Sequence, residues 1–212
     1  MNTNLENAMR GYLDGSGLGS TLEYTARLRQ HLKTIFVDFN IKTLLDAPCG
    51  HLVWMSEVLK ENPNINYIGG EILKPLVDRH TTTYKDNPSL NFIHLDITED
   101  PLPDCDLWIV RDVLFHLSHE NIFKAFKNML RSNIKYILTT SHGPDSFGYN
   151  GIQWSYNIPI KDGGFDLLNL FAEPFCFPEP LLRFDDTFGP HPKREMCIWS
   201  KEQIANLAFN KT

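Results

Sequence analysis

The stretch Leu44-Leu-Asp-Ala-Pro-Cys-Gly-His-Leu-Val-Trp-Met-Ser-Glu-Val-Leu59 leaves few folds open. An apolar run containing Ile41 and Leu44-Leu45 ends at Asp46, and a tight turn with Pro48 and Gly50 follows. Leu52, Met55, Val58 and Leu59 then recur at helical spacing. A switch of apolar period over so short a span marks a strand, a loop and a helix, the start of a β-α unit. Asp46 therefore stands at the carboxyl end of a strand. Open α/β sheets bind ligands at that edge, because backbone amides and helix amino ends face the crevice there.

The unit repeats. Ile65-Asn-Tyr-Ile-Gly-Gly-Glu71 reads as a second short strand, ending on an acid 25 residues after Asp46. A helix over 73–84 leads to Asn91-Phe-Ile-His-Leu-Asp96-Ile-Thr98, a third strand with a third acid. Near this spacing, a carboxylate closing the second strand meets the vicinal hydroxyls of a bound ribose, since its two oxygens can accept both hydrogen bonds. Asp96 is placed to accept from an adenine amino group, with Ile97 packing against the ring. Any one of these acids is ordinary at a strand end or turn. Three in successive units argue for a ligand-binding edge.

Asp106-Leu-Trp-Ile-Val-Arg-Asp-Val-Leu-Phe-His-Leu-Ser118 begins as a buried fourth strand and carries Arg111, Asp112 and His116 just past its end. Charge is costly there unless it is paired or faces a cleft, which makes the trio the candidate for chemistry. A helix over 119–129 and a fifth strand over 135–140 follow. From 141 to 180 the aromatic, Gly and Pro content predicts an ordered binding region, with Trp154, Tyr156 and Asn169 as candidate pocket walls and ordinary packing as the competing reading. The runs 181–185 and 195–199 have no helix between them and predict an antiparallel pair. Ahead of the first strand, 1–12 reads as polar and prone to fray. Gly11 to Ser20 is a flexible loop, either a linker or a lid whose Gly15, Ser16 and Gly17 amides close over a ligand. A helix over 21–39, capped by Ser20 or Thr21, completes the segment.

With 212 residues, 42% of them apolar, the chain suits one domain. Its expected divisions are an N-terminal loop and helix (1–40), a ligand-binding α/β core (41–140), an aromatic, Gly- and Pro-rich insertion (141–180) and terminal strands (181–212). A net charge of -6 and the lack of a Lys/Arg-rich face argue against nucleic acid as a partner. Cys49, Cys105, Cys176 and Cys197 are scattered without zinc-ligand or disulfide spacing, so a reduced, cytoplasmic protein is expected. No signal peptide and no membrane-crossing apolar run is visible. Asp185, Asp186 and His191 are too few to predict a metal site. The expected partner is a small-molecule substrate, and the expected assembly a monomer or homodimer.

These residues together resemble a class I S-adenosylmethionine-dependent methyltransferase over nearly the whole chain. The likeness is to bacterial small-molecule enzymes with an Asp-x-Pro-Cys-Gly turn followed by Trp54-Met55 and the late pairs Asn169-Leu170, Pro174-Phe175 and Pro178-Glu-Pro180. Some members of that group are associated with surface-polysaccharide decoration. Pro48 and Leu52 replace two glycines of the family's first motif, and Gly50 is kept. The resemblance implies a Rossmann-like α/β fold, a mostly parallel sheet with a terminal antiparallel strand and helices on both faces. It implies S-adenosylmethionine as cofactor, with Asp46, Pro48 and Gly50 at its methionyl end, Glu71 at the ribose, and Asp96 and Ile97 at the adenine. Arg111 or Asp112 would lie beside the sulfonium, under the Gly15-Ser16-Gly17 loop. The expected reaction is methyl transfer to an oxygen of a sugar, polysaccharide precursor or phosphorylated metabolite. For a hydroxyl acceptor, His116 is the candidate base, with Asp112 orienting it. For an anionic acceptor no base is needed, and Arg111 becomes a bidentate clamp. Two other readings are a non-catalytic nucleoside-binding domain and an NAD-dependent oxidoreductase. The missing Gly-x-Gly-x-x-Gly tells against the oxidoreductase.

Overall fold

The computed structural model describes residues 3–143, 155–189 and 191–207. The strands are β1 (Thr43–Asp46), β2 (Asn66–Glu71), β3 (Leu90–His94), β4 (Leu107–Val110), β5 (Tyr136–His142), β6 (Leu182–Asp185) and β7 (Arg194–Ser200). They form a seven-stranded sheet in the order β3-β2-β1-β4-β5-β7-β6. Strands β1 to β5 pair in parallel, while β7 runs antiparallel to both β5 and β6. The expected terminal antiparallel pair is thus present, inserted with β7 inside β6.

Side chains alternate strictly between the two faces of this sheet. Leu44, Leu107, Ile109, Leu138, Met196 and Ile198 enter one core, and Leu45, Trp108, Val110, Ile137, Cys197 and Trp199 enter the other. Helices α2 (Ala26–Asp38) and α3 (Met55–Glu61) cover the first core through Leu28, Leu32, Ile35, Met55 and Val58. Helix α5 (His119–Arg131) covers the second through Ile122, Ala125, Phe126 and Met129. Both faces of β4 are sealed, which explains why its sequence is a continuous apolar run. Helix α4 (Lys74–Thr83), between β2 and β3, starts with Pro75 in its first turn, where a missing N–H costs nothing.

Several boundaries differ from the sequence expectation. The segment expected to fray contains α1 (Thr3–Met9) and a 3-10 turn over Arg10–Tyr12, anchored by buried Leu5 and Met9 four residues apart. The helix expected from Thr21 begins at Ala26. Thr21 Oγ1 accepts from Tyr24 N at 3.2 Å and Thr21 O from Thr25 N at 3.1 Å, so a separate turn precedes the helix. A short α6 (Lys201–Ala205) was not expected, although Ser200-Lys-Glu-Gln203 spells its capping box, in which Ser200 Oγ accepts from Gln203 N and Gln203 Oε1 from Ser200 N. Among the described residues, no helix is long and apolar enough to cross a membrane.

The strand order reverses between β1 and β4, whose carboxyl ends therefore flank the crevice of this sheet.

Candidate active site

The turn after β1 is pinned from both sides. Ala47 N donates to Ile109 O at 3.1 Å, Trp108 Nε1 to Ala47 O at 3.2 Å, and Cys49 N to Gly70 O at 2.9 Å. Gly50 has a φ of 52°, and a Cβ there would lie 2.5 Å from Ser16 Oγ, so both the turn and the approach of the N-terminal loop require glycine. Its amide donates to Glu71 Oε2 at 3.0 Å, and His80 Nε2 of α4 meets its carbonyl at 2.7 Å.

Over this turn lies a cavity of ≈ 120 Å³, lined by Tyr12, Ser16, Asp46, Pro48, Gly50, Trp54, Glu71, Arg111, Asp112 and His116, among others. A smaller cavity shares Met9, Pro48, Ile72 and Val113 with it and reaches Asp96 and Ile97. The fold thus brings Asp46, Glu71, the first turn and the polar trio to one cavity, with Asp96 on the adjoining one.

Each acid is held differently. Asp46 is buried, accepts from Tyr67 Oη at 2.9 Å, and has its carboxyl pushed up to about 7 by burial, with nearby Glu71 adding to the rise. Glu71 is also raised by burial, partly offset by the Leu73 and Gly50 amides it accepts from. Asp96 is fully buried. Its Oδ1 takes the Thr98 N–H and hydroxyl, while Oδ2 has no hydrogen-bond partner among the described residues. An unsatisfied buried carboxylate oxygen beside a cavity is an acceptor waiting for a donor.

Arg111 and Asp112 do not stand free in the cleft. Arg111 Nη1 donates to Gly19 O at 2.7 Å, and its Nε and Nη2 both reach Asp186 Oδ2. Arg194, at the start of β7, donates through Nη1 to Asp112 Oδ1 at 2.8 Å and through Nη2 to Asp186 Oδ2 at 2.9 Å. Two guanidiniums and two carboxylates close a neutral square over which the Tyr24 ring stacks, 4.6 Å from the Arg194 guanidinium. Asp112, at a φ of 59°, is pushed up by burial, yet Arg111 and Arg194 outweigh this and hold it below the ordinary carboxylate range. Arg111 is therefore not available as a bidentate clamp for an anion. Asp112 does not orient His116 either, because its oxygens are taken by the guanidiniums.

A backbone carbonyl orients His116 instead: Nδ1 lies 2.7 Å from Gly164 O, and Nε2 lies 3.1 Å from Tyr12 Oη. A carbonyl can only accept, so Nδ1 carries the proton and Nε2 keeps a lone pair toward the cavity. Burial lowers the imidazole's pKa, partly countered by Gly164 and Asp112. The N-terminal loop does close over the turn, but through its serine. Ser16 Oγ meets His51 Nδ1 at 2.9 Å and accepts from His51 N at 3.0 Å, while Gly15 and Gly17 do not line either cavity.

Of the expected acceptor walls, Tyr156 and Asn169 line neither cavity. Asn169 is buried and spends its side chain on Phe171 N, with Asn157 bonded to its backbone. Tyr156 forms an isolated bridge with Leu167. Trp154 lies outside the described residues. The residues missed from sequence are Tyr12, His51 and His80, and Asp186 was weighed there only as a metal ligand. The place of His51 just after Gly50 and the Gly-rich context of Tyr12 were local signals; His80 and Asp186 come from distant segments.

Sheet order and cleft define a Rossmann-like class I methyltransferase fold. Residues 45–138 match the family described as Methyltransferase domain. Similar solved structures include the N-methyltransferase NodS from Bradyrhizobium japonicum WM9 in complex with S-adenosyl-L-homocysteine. Its TM-score is 0.62 at 10% identity, over 94% of this chain and 98% of that one. Magnesium protoporphyrin IX methyltransferase (ChlM) from Synechocystis PCC 6803, with the same ligand bound, gives 0.60 at 11% identity over 94% of each chain. The methyltransferase domain of bacterial CtHen1-C gives 0.60 at 13% identity, over 84% of this chain and 98% of that one. Comparison with curated proteins gives no match.

Proposed function

We propose that this protein transfers the methyl group of S-adenosylmethionine to a hydroxyl oxygen of a small-molecule acceptor, a sugar or polysaccharide precursor, in the cytoplasm. The observation that carries this reading is a cavity lined by Asp46, Glu71 and His116 and an adjoining one, sharing Met9, Pro48, Ile72 and Val113 with it, lined by Asp96, whose Oδ2 has no partner among the described residues. The acids match the donors of such a cofactor: ammonium, ribose hydroxyls and adenine amine. When bound, the cofactor supplies an electrophilic methyl on a positively charged sulfur. Asp46, Pro48 and Gly50 would hold its methionyl end, Glu71 its ribose, and Asp96 with Ile97 its adenine.

Residues of this chain then have three tasks. The Ser16 loop, fastened on His51, excludes water from the cleft. The square of Arg111, Asp112, Asp186 and Arg194 fixes the end of β4 so that the reacting groups meet in line. His116 takes up the acceptor's proton at Nε2. A phosphorylated acceptor fits less well, because among the described residues lining the cavity Arg111 is the one permanent cation and it is already paired. Within this reading 1–40 is the cap, 41–140 the cofactor core, 141–180 the acceptor side and 181–212 the closing strands. Gly164, whose carbonyl holds His116, belongs to the acceptor side.

The test is incubation with methyl-labelled S-adenosylmethionine and a low-molecular-mass cell extract, followed by identification of the labelled product by mass. A labelled neutral O-methyl compound is expected. Label confined to phosphorylated products, or no label at all, overturns the reading.

A further inference from the structure

Two things about Tyr12 are unexplained by a cap residue alone. It lines the cavity beside His116, Asp112 and Ser16, and its hydroxyl sits on the one lone pair of His116 that faces the cleft. An acceptor hydroxyl therefore meets the phenol oxygen before it meets the imidazole. Beside the pair, the Phe165 ring lies 5.8 Å from that of His116 and 5.5 Å from that of Phe115.

We infer that Tyr12 is the acceptor-facing catalytic residue, and that it passes the acceptor's proton to His116 Nε2. This rests on the methyl-transfer reading above. The acceptor hydroxyl donates to Tyr12 Oη, and Tyr12 Oη–H donates to Nε2. The acceptor oxygen's lone pair bonds to the methyl carbon while the carbon–sulfur pair returns to sulfur. The acceptor O–H bond breaks and its proton moves to Tyr12 Oη, as Tyr12's own proton moves to Nε2. The positive charge leaving sulfur ends on the imidazolium, which Nδ1–H anchors to the Gly164 carbonyl.

The resting protonation states suit this path. Burial, and then Asp112, raise the Tyr12 pKa, so the phenol keeps its proton, while burial keeps His116 neutral. Among the described residues, the groups facing His116 are the Tyr12 hydroxyl from the N-terminal segment, Asp112 from the end of β4, and the Gly164 carbonyl and Phe165 ring from the 155–189 segment. Of these only Asp112 is charged, and it favours the imidazolium that forms.

The experiment uses the full chain and has two arms. Nitrogen-15 NMR of the histidine rings, on the protein with S-adenosylhomocysteine, should show His116 neutral and protonated at Nδ1 at pH 7. An Nε2-protonated ring overturns the relay. In the second arm Tyr12→Phe and His116→Gln are compared with the unsubstituted protein for S-adenosylhomocysteine affinity and for label transfer to extract between about pH 5 and 8. Tyr12→Phe should lose about 100-fold in transfer with affinity retained, and His116→Gln should also lose the acidic limb of the pH profile. Transfer that survives in Tyr12→Phe, or that falls only in proportion to affinity, overturns the relay and leaves Tyr12 a latch on the cap. No transfer by the unsubstituted protein overturns the methyl-transfer reading itself.

Discussion

Asp46 ionises near 3.8 in an unfolded chain and near about 7 in the folded one. Between those values the folded state holds the extra proton, so this group's contribution to stability is fully present below about pH 4 and declines as pH rises to 7. The decline amounts to up to about 4 kcal/mol, and Glu71 and Asp186, both raised by burial, act in the same direction. Asp46→Asn can still accept from Tyr67, so urea unfolding at pH 5 and pH 8 should show a smaller loss of stability in the variant. An equal loss in both proteins would place the pH dependence elsewhere. For Glu71, alanine would strand the Gly50 and Leu73 amides, and Glu71→Gln is the cleaner change. Weakening its hydrogen bonds to a ribose should lower S-adenosylhomocysteine affinity about tenfold by calorimetry. Unchanged affinity would remove Glu71 from the ribose.

The four-residue charge square ties the end of β4 to the β6–β7 pair, through the residue after β6 and the first residue of β7, and Arg111 carries it on to the Gly19 carbonyl of the N-terminal loop. Asp186→Ala leaves two buried guanidiniums short of a partner and should cost about 3–5 kcal/mol in denaturant unfolding. A loss well below about 1 kcal/mol would mean that water reaches the square. Exposed pairs such as Lys33–Glu61 are screened and carry no comparable expectation. Elements were legible in the sequence to the degree that their burial is periodic. The run Leu107 to Val110, and the stripe Ile122, Phe126, Met129, declared themselves. Helix α1 did not, because it buries only Leu5 and Met9 in an otherwise polar segment, and two apolar residues make no period.

For the molecule as a whole, a ligand that binds only the folded state adds stability by mass action. S-adenosylhomocysteine at about 100 times its Kd should add about 2.7 kcal/mol and raise Tm by roughly 5–10 °C. A thermal scan without such a rise would count against the cleft as the cofactor site. By itself the sequence determined the β-α rhythm, the parallel sheet with its antiparallel close, and the acids Asp46, Glu71 and Asp96 at one edge. Those features depend on local periodicity and on strand ends, which residue order fixes directly. Only the tertiary structure decided how the polar groups are used. Arg111 and Asp112 look like free chemistry in sequence, yet Arg194, 82 positions beyond Asp112, and Asp186 neutralise them. His116 looks as if Asp112 directs it, yet Gly164 O and Tyr12 Oη, 48 and 104 positions away, hold its two nitrogens. A buried charge or a ring nitrogen takes whichever partner the packed chain brings within hydrogen-bonding reach, and no local pattern encodes that choice.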